Sequence, residues 1–296
     1  MLAREEPMPD GTSCSSEEAV TMELHLSSTL RLNNGVEIPR LGLGVFRAPR
    51  GEETRQAVSQ ALAMGYRHID TARIYGNERD VGAAVRDSGI SRKEIFVTTK
   101  LWNDDQGYES TLRACERSLK ELGLEYVDLY LEHWPVSGRR LDSWRAMETL
   151  LADGKCRAIG VSNFQENHLE ELLRHAKVVP AVNQVEFSPF LYQVELQRYC
   201  EGHGIAVEAY SPLTKGQRLG DSTLVKVAQR HSRTPAQVLI RWCLQRGLIV
   251  IPKSVRKERI HENADVYGFE LSTEEMQVLD GLNEDLRTSW DPTDVP

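Results

Sequence analysis

Short apolar runs alternate with longer amphipathic stretches along the chain from Leu41 onward. Apolar runs bounded by polar residues favour buried strands, whereas apolar positions three and four residues apart favour helices. The runs predict strands over residues 41–45, 68–71, 95–99, 127–131, 158–161, 181–185, 206–209 and 249–251. The amphipathic stretches predict helices over 52–64, 77–87, 109–122, 142–153, 166–175, 193–202 and 222–246, with a further helix beginning near Lys257.

This regular alternation predicts an α/β fold built as a single (β/α)₈ TIM barrel, because a doubly wound sheet typically has fewer strands. Ahead of the first strand, residues 29–32 and 36–38 flank Asn33-Asn34-Gly35. An Asn-Gly pair between alternating segments is a strong signal for a β-hairpin. We expect this hairpin to close the bottom of the barrel, at the amino-terminal ends of the strands.

Residues 1–24 differ from the rest of the chain, because they contain Pro7, Pro9, Gly11 and a serine-rich stretch with little to bury. Such a segment does not offset the backbone entropy lost on ordering. We therefore expect a disordered extension over 1–24 and one barrel domain over 25–296.

Composition narrows the functional classes. The 296 residues include 36 Lys and Arg against 44 Asp and Glu, a net charge of −8, which argues against broad binding to nucleic acid or anionic membranes.

No apolar stretch is long enough to span a bilayer, and the amino terminus lacks a secretion signal, so we expect a cytoplasmic protein. The five cysteines are scattered without a C-x-x-C pair, which favours reduced thiols over disulfides or zinc.

Polar residues follow most of the predicted strands. In (β/α)₈ barrels the active site lies at the carboxyl ends of the strands, so these residues are the first candidates for chemistry. They are Asp70, Lys100, His133, Ser162, Asn163, Gln184, Tyr210, Lys253 and Ser254.

Four of the side chains at this end can handle protons or charge: Asp70, Tyr75, Lys100 and His133. A phenol has a reference pKa of about 10, and a nearby ammonium favours the phenolate, while a carboxylate keeps that ammonium charged. A histidine can orient a carbonyl oxygen that receives the proton. Singly, each residue is more often structural, as in an ordinary salt bridge; together they predict a tuned general acid.

Several motifs resemble those of the aldo-keto reductase family. They are GYRHIDTA at 65–72, YGNE at 75–78, TKLW at 99–102, HWP at 133–135, GVSNF at 160–164 and IPKS at 251–254. The resemblance covers about residues 29 to 290 in the family's order. It is closest in appearance to the short-tailed branch with bacterial glyoxal and diketogluconate reductases and prostaglandin F synthase-like enzymes.

The resemblance implies an NADPH-dependent oxidoreductase that reduces aldehydes and ketones by hydride transfer from nicotinamide, without a metal. It implies that Tyr75 is the general acid, that Lys100 and Asp70 tune it, and that His133 orients the carbonyl. We expect a monomer whose partner is the small carbonyl substrate. A Rossmann phosphate loop is absent, because Arg47 stands where the pattern after Gly42-Leu43-Gly44 needs glycine.

The resemblance also assigns the cofactor contacts. Ser162, Asn163 and Gln184 would hold the nicotinamide carboxamide, and Tyr210 would stack on the ring. Ser211, Pro212 and Leu213 would lie along the pyrophosphate. The other implied cofactor residues are Lys253, Ser254 and Arg259 at the 2′-phosphate, Glu262 and Asn263 at the adenine, and Gly44 and Val255.

An apolar substrate wall is expected beside this mouth, formed by Val45, Phe46, Trp102 and Trp134, with Trp290 less firmly placed. Two positions depart from the family pattern. Glu132 stands where an aliphatic residue is frequent and faces away from the barrel interior, so it needs a partner. Ser188 stands where a histidine is frequent. Both departures bear on substrate range.

Two other functions remain open from the sequence. A non-catalytic NADP(H)-binding redox sensor could use the same barrel, although it would not need Asp70, Tyr75, Lys100 and His133. A Schiff-base enzyme could use Lys100 as a nucleophile, and borohydride trapping of a substrate on Lys100 would reveal it.

Overall fold

The computed structural model describes residues 24–296, so the predicted disorder of the extension falls, except for Leu24, outside the described residues. The first ordered feature is the predicted hairpin, formed by β1 (Thr29–Arg31) and β2 (Glu37–Pro39), which pair antiparallel. Gly35 has a φ of 84°, a left-handed conformation that glycine adopts at low cost. The side-chain amides of Asn33 and Asn34 donate to the carbonyl oxygens of Pro180 and Arg157.

Eight parallel strands form the barrel in chain order. They are β3 (Leu43–Gly44), β4 (His68–Asp70), β5 (Phe96–Leu101), β6 (Val127–Glu132), β7 (Cys156–Ser162), β8 (Val182–Glu186), β9 (Ala206–Tyr210) and β10 (Ile249–Ile251). The first and last strands meet through bonds from Gly42 N to Val250 O at 2.9 Å and from Gly44 N to Pro252 O at 3.1 Å. A Cβ at Gly44 would lie 3.0 Å from Ile251 O, so the closure favours glycine there. The predicted (β/α)₈ barrel is confirmed.

The helices are α1 (Glu52–Ala63), α2 (Glu78–Asp87), α3 (Tyr108–Leu122), α4 (Arg140–Ala152), α5 (Glu166–His175), α6 (Val194–Gly202), α7 (Ser222–Arg230), α8 (Pro235–Gln245), α9 (Lys257–Ala264) and α10 (Thr273–Asp280). The single helix predicted over 222–246 is wrong, because two helices occupy this stretch. Thr234 caps α8 by accepting a bond from Gln237 N, and Pro235 is well suited to the first helical position. Helix α10 was not predicted.

The hydrophobic core has two layers. The larger layer lies between the outer faces of the strands and the helices and contains Trp144 and Trp242, both almost fully buried. The smaller layer fills the bottom of the barrel, where Leu32 and Ile38 from the hairpin segment join Phe96, Leu129 and Ile249. The hairpin therefore closes the bottom, as predicted, and leaves the opposite mouth for the site.

The four cysteines within residues 24–296 are free and buried; Cys14 lies outside this range. Among the helices of residues 24–296, none combines the length and the apolar character needed to cross a membrane.

Contact between α2 and α3 requires a glycine at position 82. A Cβ at Gly82 would lie 1.8 Å from Leu122 O, a backbone atom that cannot move without shifting α3. We expect Gly82→Ala to lower the free energy of unfolding by about 3 kcal/mol, the upper end for overpacking. The control is Gly202→Ala at the end of α6, where a Cβ meets nothing within 4 Å. Urea denaturation of both variants tests this, and an equally stable Gly82→Ala would contradict the close packing.

Candidate active site

A buried ion pair forms the centre of the barrel mouth. Lys100 on β5 is 0% exposed, and its Nζ lies 2.7 Å from both carboxylate oxygens of Asp70 on β4. The same ammonium donates to the carbonyl oxygen of Thr71 at 2.9 Å. Because burial removes water from both charged groups, the contacts between them must compensate for the hydration energy that they lose. Lys100 is thereby fixed in position, with its donors directed at known acceptors.

Tyr75 lies at the end of the short helical turn Arg73–Tyr75 that follows β4. Its hydroxyl oxygen is 3.4 Å from Lys100 Nζ, and the ammonium also lies 5.0 Å from the centre of its ring. Burial, followed by the negative charges of Asp70 and Glu208, raises the pKa of the phenol well above its usual value. The lowering of this pKa that the nearby ammonium suggested is therefore wrong, because desolvation outweighs the charge of Lys100, which Asp70 offsets.

His133 follows β6 and is 7% exposed. Its ring centre lies 5.8 Å from that of Tyr75 and 5.4 Å from that of Trp102, both in edge-on contact. Burial, with a smaller effect from Lys100, lowers the pKa of this imidazole well below its usual range. A neutral imidazole can donate one hydrogen bond to a carbonyl oxygen at the mouth.

The polar residues predicted to hold the carboxamide are joined by hydrogen bonds. Ser162 Oγ donates to Gln184 O at 2.8 Å, and Asn163 Nδ2 donates to His133 O at 3.0 Å. The Tyr210 hydroxyl donates to Asn163 Oδ1 at 2.8 Å. Asn163 adopts a φ of 64°, a left-handed conformation that asparagine tolerates better than most residues. The bond from Asn163 to His133 O joins these polar residues to the site formed by Tyr75 and His133.

Gln184 also connects to a buried polar network that the sequence analysis missed. Its Nε2 donates to Asp70 Oδ2 at 2.9 Å and to Glu208 Oε2 at 2.8 Å. Burial, followed by the charge of Asp70, raises the pKa of Glu208 to about 8. Because two carboxyl groups face the amide nitrogen, Gln184 is oriented with Oε1 as its remaining acceptor. A glutamate inside the apolar run 206–209 was the available signal.

The remaining predicted cofactor residues follow β9 or lie in the loop after β10 and in α9, apart from Gly44, which is on β3. Ser211, Pro212 and Leu213 follow β9 directly, and Ser211 has a φ of 49°. Lys253 and Arg259 are exposed, the latter in the first turn of α9, whereas Ser254 and Asn263 are buried and Val255 is half-buried. Glu262 accepts a bond from the Thr234 hydroxyl at 2.6 Å, so its carboxylate is partly committed within the protein.

Comparison with known proteins decides the family. The model of the Aldo/keto reductase family matches residues 40–284, most of the barrel. The chain belongs to the aldo-keto reductase family.

Two known reductases are similar to this chain over nearly the whole barrel. Glyoxal reductase of Bacillus subtilis (strain 168) is 53% identical over 274 residues, which are 93% of this chain and 99% of that protein. The 9,11-endoperoxide prostaglandin H2 reductase of Trypanosoma cruzi (strain CL Brener) is 53% identical over 264 residues, 88% and 93% of the two chains. A solved aldo-keto reductase of Bombyx mori in complex with NADP has a TM-score of 0.84 at 38% identity, covering 89% of this chain and 95% of its own.

Aromatic side chains line one side of the mouth in this aldo-keto reductase. The Phe46 ring lies 5.0 Å from that of Tyr75, and the Trp134 ring lies 4.7 Å from that of Trp290. Phe46 is 42% exposed, and Trp102 and Trp134 are half-buried. Val45 differs, because it is 1% exposed and packs in the larger hydrophobic layer. The structure therefore places the aromatic residues, and not Val45, at the mouth surface.

The two departures from the family pattern have different surroundings. Glu132 is fully buried on the outer face of β6, and neither carboxylate oxygen has a hydrogen-bond partner among residues 24–296. The predicted partner is therefore absent among residues 24–296, and burial, opposed by Arg140, raises the pKa of this carboxyl well above its usual range. Ser188 pairs with Leu191 in a short backbone turn, with Ser188 O accepting from Leu191 N at 3.0 Å.

Proposed function

We propose that this protein reduces aldehydes and ketones to alcohols with NADPH, and that Tyr75 is the general acid. The observation that carries the proposal is the 3.4 Å approach of Lys100 Nζ to the Tyr75 hydroxyl, with Lys100 fixed by Asp70. The raised pKa keeps Tyr75 protonated near neutral pH. After the proton leaves, the adjacent ammonium stabilises the phenolate that remains.

The residues present suit a nicotinamide cofactor. Gln184 Oε1 and the second lone pair of Asn163 Oδ1 can accept bonds from a carboxamide, since the amide nitrogens of both residues already donate elsewhere. Tyr210 is half-exposed with its hydroxyl fixed by Asn163, so its ring can serve as a stacking face. The bound cofactor would supply the hydride; positioning and proton transfer come from the chain.

His133 would orient the substrate. A neutral imidazole can donate to the carbonyl oxygen without adding a charge that competes with Lys100. Together, His133 and Tyr75 place two donors at one oxygen, where negative charge develops during reduction.

The two rival functions are less compatible with this geometry. A Schiff base needs an accessible amine, whereas Lys100 is 0% exposed and donates to Asp70 and Thr71. A cofactor-binding sensor would gain nothing from a fixed proton donor beside a buried ammonium. Incubation of the protein with NADPH and a panel of aldehydes and ketones tests the proposal by loss of nicotinamide absorbance. No turnover across the panel would contradict it.

The choice of NADPH over NADH rests on Lys253 and Arg259, exposed cations in the segment after β10. A charge-assisted contact to phosphate contributes about 1.5 to 3 kcal/mol. We therefore expect Arg259→Ala to weaken NADPH binding by about 10 to 100 fold and to leave NADH binding nearly unchanged. Fluorescence titration with both cofactors measures the ratio, and Lys226→Ala on α7 is the control for loss of an exposed charge. Equal weakening of both cofactors would remove Arg259 from the 2′-phosphate.

A further inference from the structure

Residues 284–290, which we name the strap, cross the barrel mouth and end in Trp290. The strap begins with bonds from Glu284 N and Leu286 N to Phe190 O, at 3.2 and 3.0 Å. At its other end the Trp290 ring contacts that of Trp134, yet Trp290 remains 57% exposed. Because so little packing surrounds Trp290, its position depends on the contacts that hold the strap and on those of the segment after it, where His168 and Arg140 bond to the carbonyl oxygens of Val295 and Pro296.

A buried carboxylate holds the strap from the barrel side. Glu186, the last residue of β8, is 4% exposed. Its Oε1 accepts a bond from Thr288 N at 2.9 Å and a second from the Thr288 hydroxyl, and its Oε2 accepts from Ser289 N at 3.0 Å. Both oxygens of a desolvated carboxylate are thus committed to two adjacent strap residues. Such charged hydrogen bonds are stronger than neutral ones.

The loop after β9 holds the strap from the other side. Lys215 Nζ donates to Thr288 O and lies 3.3 Å from Ser289 Oγ, while Arg218 Nε pairs with Glu284 Oε1 at 2.5 Å. Thr214 and Lys215 have φ of 50° and 51°, which is costly for residues other than glycine. The loop conformation therefore needs outside support, and the strap contacts supply it.

We propose that Glu186 and Lys215 are positioning residues that fix Trp290 through the strap and so set the affinity for carbonyl substrates long enough to reach it. This inference rests on the reductase function proposed above. Trp290 lies beyond His133 and Trp134, whose ring centres are 6.4 Å apart, with a further 4.7 Å to Trp290. A two-carbon dicarbonyl bound at Tyr75 and His133 does not extend that far, whereas a long aliphatic aldehyde does.

The kinetic test compares glyoxal with octanal in the NADPH-loaded enzyme. We expect Glu186→Gln and Lys215→Met each to raise the KM for octanal by about 4 to 16 fold, the equivalent of one to two buried methylene groups at about fourfold each. The kcat for octanal and the KM for glyoxal should stay within about twofold. Glu195→Gln is the matched control, because Glu195 lies exposed on α6 and its one ion pair among residues 24–296 is with Arg198 on the surface. Equal changes for both substrates would overturn the proposal.

A double variant separates action through Trp290 from general damage. If Glu186 acts through Trp290, then Glu186→Gln combined with Trp290→Ala should have the same KM for octanal as Trp290→Ala alone. Additive effects on KM would show that Glu186 acts by another route and would overturn the inference.

Hydrogen exchange gives a readout that needs no activity. The amides of Thr288 and Ser289 donate to Glu186, so a peptide covering 284–290 should exchange faster in Glu186→Gln and at the wild-type rate in Glu195→Gln. Unchanged exchange in Glu186→Gln would overturn the inference even in an inactive protein. A responsive strap in a protein that reduces neither substrate would instead contradict only the proposed function.

Discussion

Tyr75→Phe should lower kcat for carbonyl reduction by a factor of about 10² to 10⁴, the usual contribution of a positioned general acid. The substitution removes only the hydroxyl that lies 3.4 Å from Lys100 Nζ. The ring that contacts Phe46 at 5.0 Å remains, so packing at the mouth should be preserved. Steady-state kinetics with an aldehyde and NADPH measure the loss.

The control for this variant is Tyr126→Phe, because Tyr126 lies in the loop between α3 and β6, at the end of the barrel opposite the mouth. Its kcat should be close to that of the wild type. The dissociation constant for NADPH should change by less than about twofold in Tyr75→Phe, because the proposed cofactor contacts come from other residues. Wild-type turnover in Tyr75→Phe would remove the tyrosine from the chemistry.

Lys100→Met should cost both stability and rate. Removing the ammonium leaves Asp70 as a buried charge that has lost its nearest counter-ion, and breaking such a pair costs about 3 to 5 kcal/mol of unfolding free energy. It also removes the cation that would stabilise the Tyr75 phenolate, so kcat should fall by about 10² fold or more. Urea denaturation and kinetics measure the two effects separately.

The double variant Asp70→Asn, Lys100→Met distinguishes the two roles of the pair. In the double variant the Asp70 carboxylate is gone, so its desolvation cost disappears. We therefore expect the double variant to regain at least half of the unfolding free energy that Lys100→Met loses. The rate should stay low, because the ammonium near Tyr75 is still missing. If the double variant recovered kcat together with stability, Lys100 would serve folding alone. If it were as unstable as Lys100→Met, the two charges would not be coupled.

The architecture can be predicted from the amino-acid sequence, because the signals for it are local. Apolar runs and helical periods predicted the eight strands, and Asn34-Gly35 predicted the hairpin that closes the bottom. Once the barrel was predicted, the rule that chemistry lies at the carboxyl ends of strands placed Asp70, Lys100 and His133 at one mouth. That these three side chains lie close together could therefore be predicted without knowing any individual contact.

Features that depend on partners distant along the chain become visible only in the folded barrel. Thr288 lies 102 positions after Glu186, so no periodicity could reveal the bonds that hold the strap. Glu186 does lie two residues after Gln184, on the same face of β8, and this alternation was the only local hint. The pKa of Tyr75 likewise depends on its burial in the folded barrel. This burial outweighs the neighbouring charge of Lys100, and it cannot be read from the sequence. Local patterns fix which elements form and which strand ends converge, whereas desolvation and long-range hydrogen bonds appear only when the barrel closes.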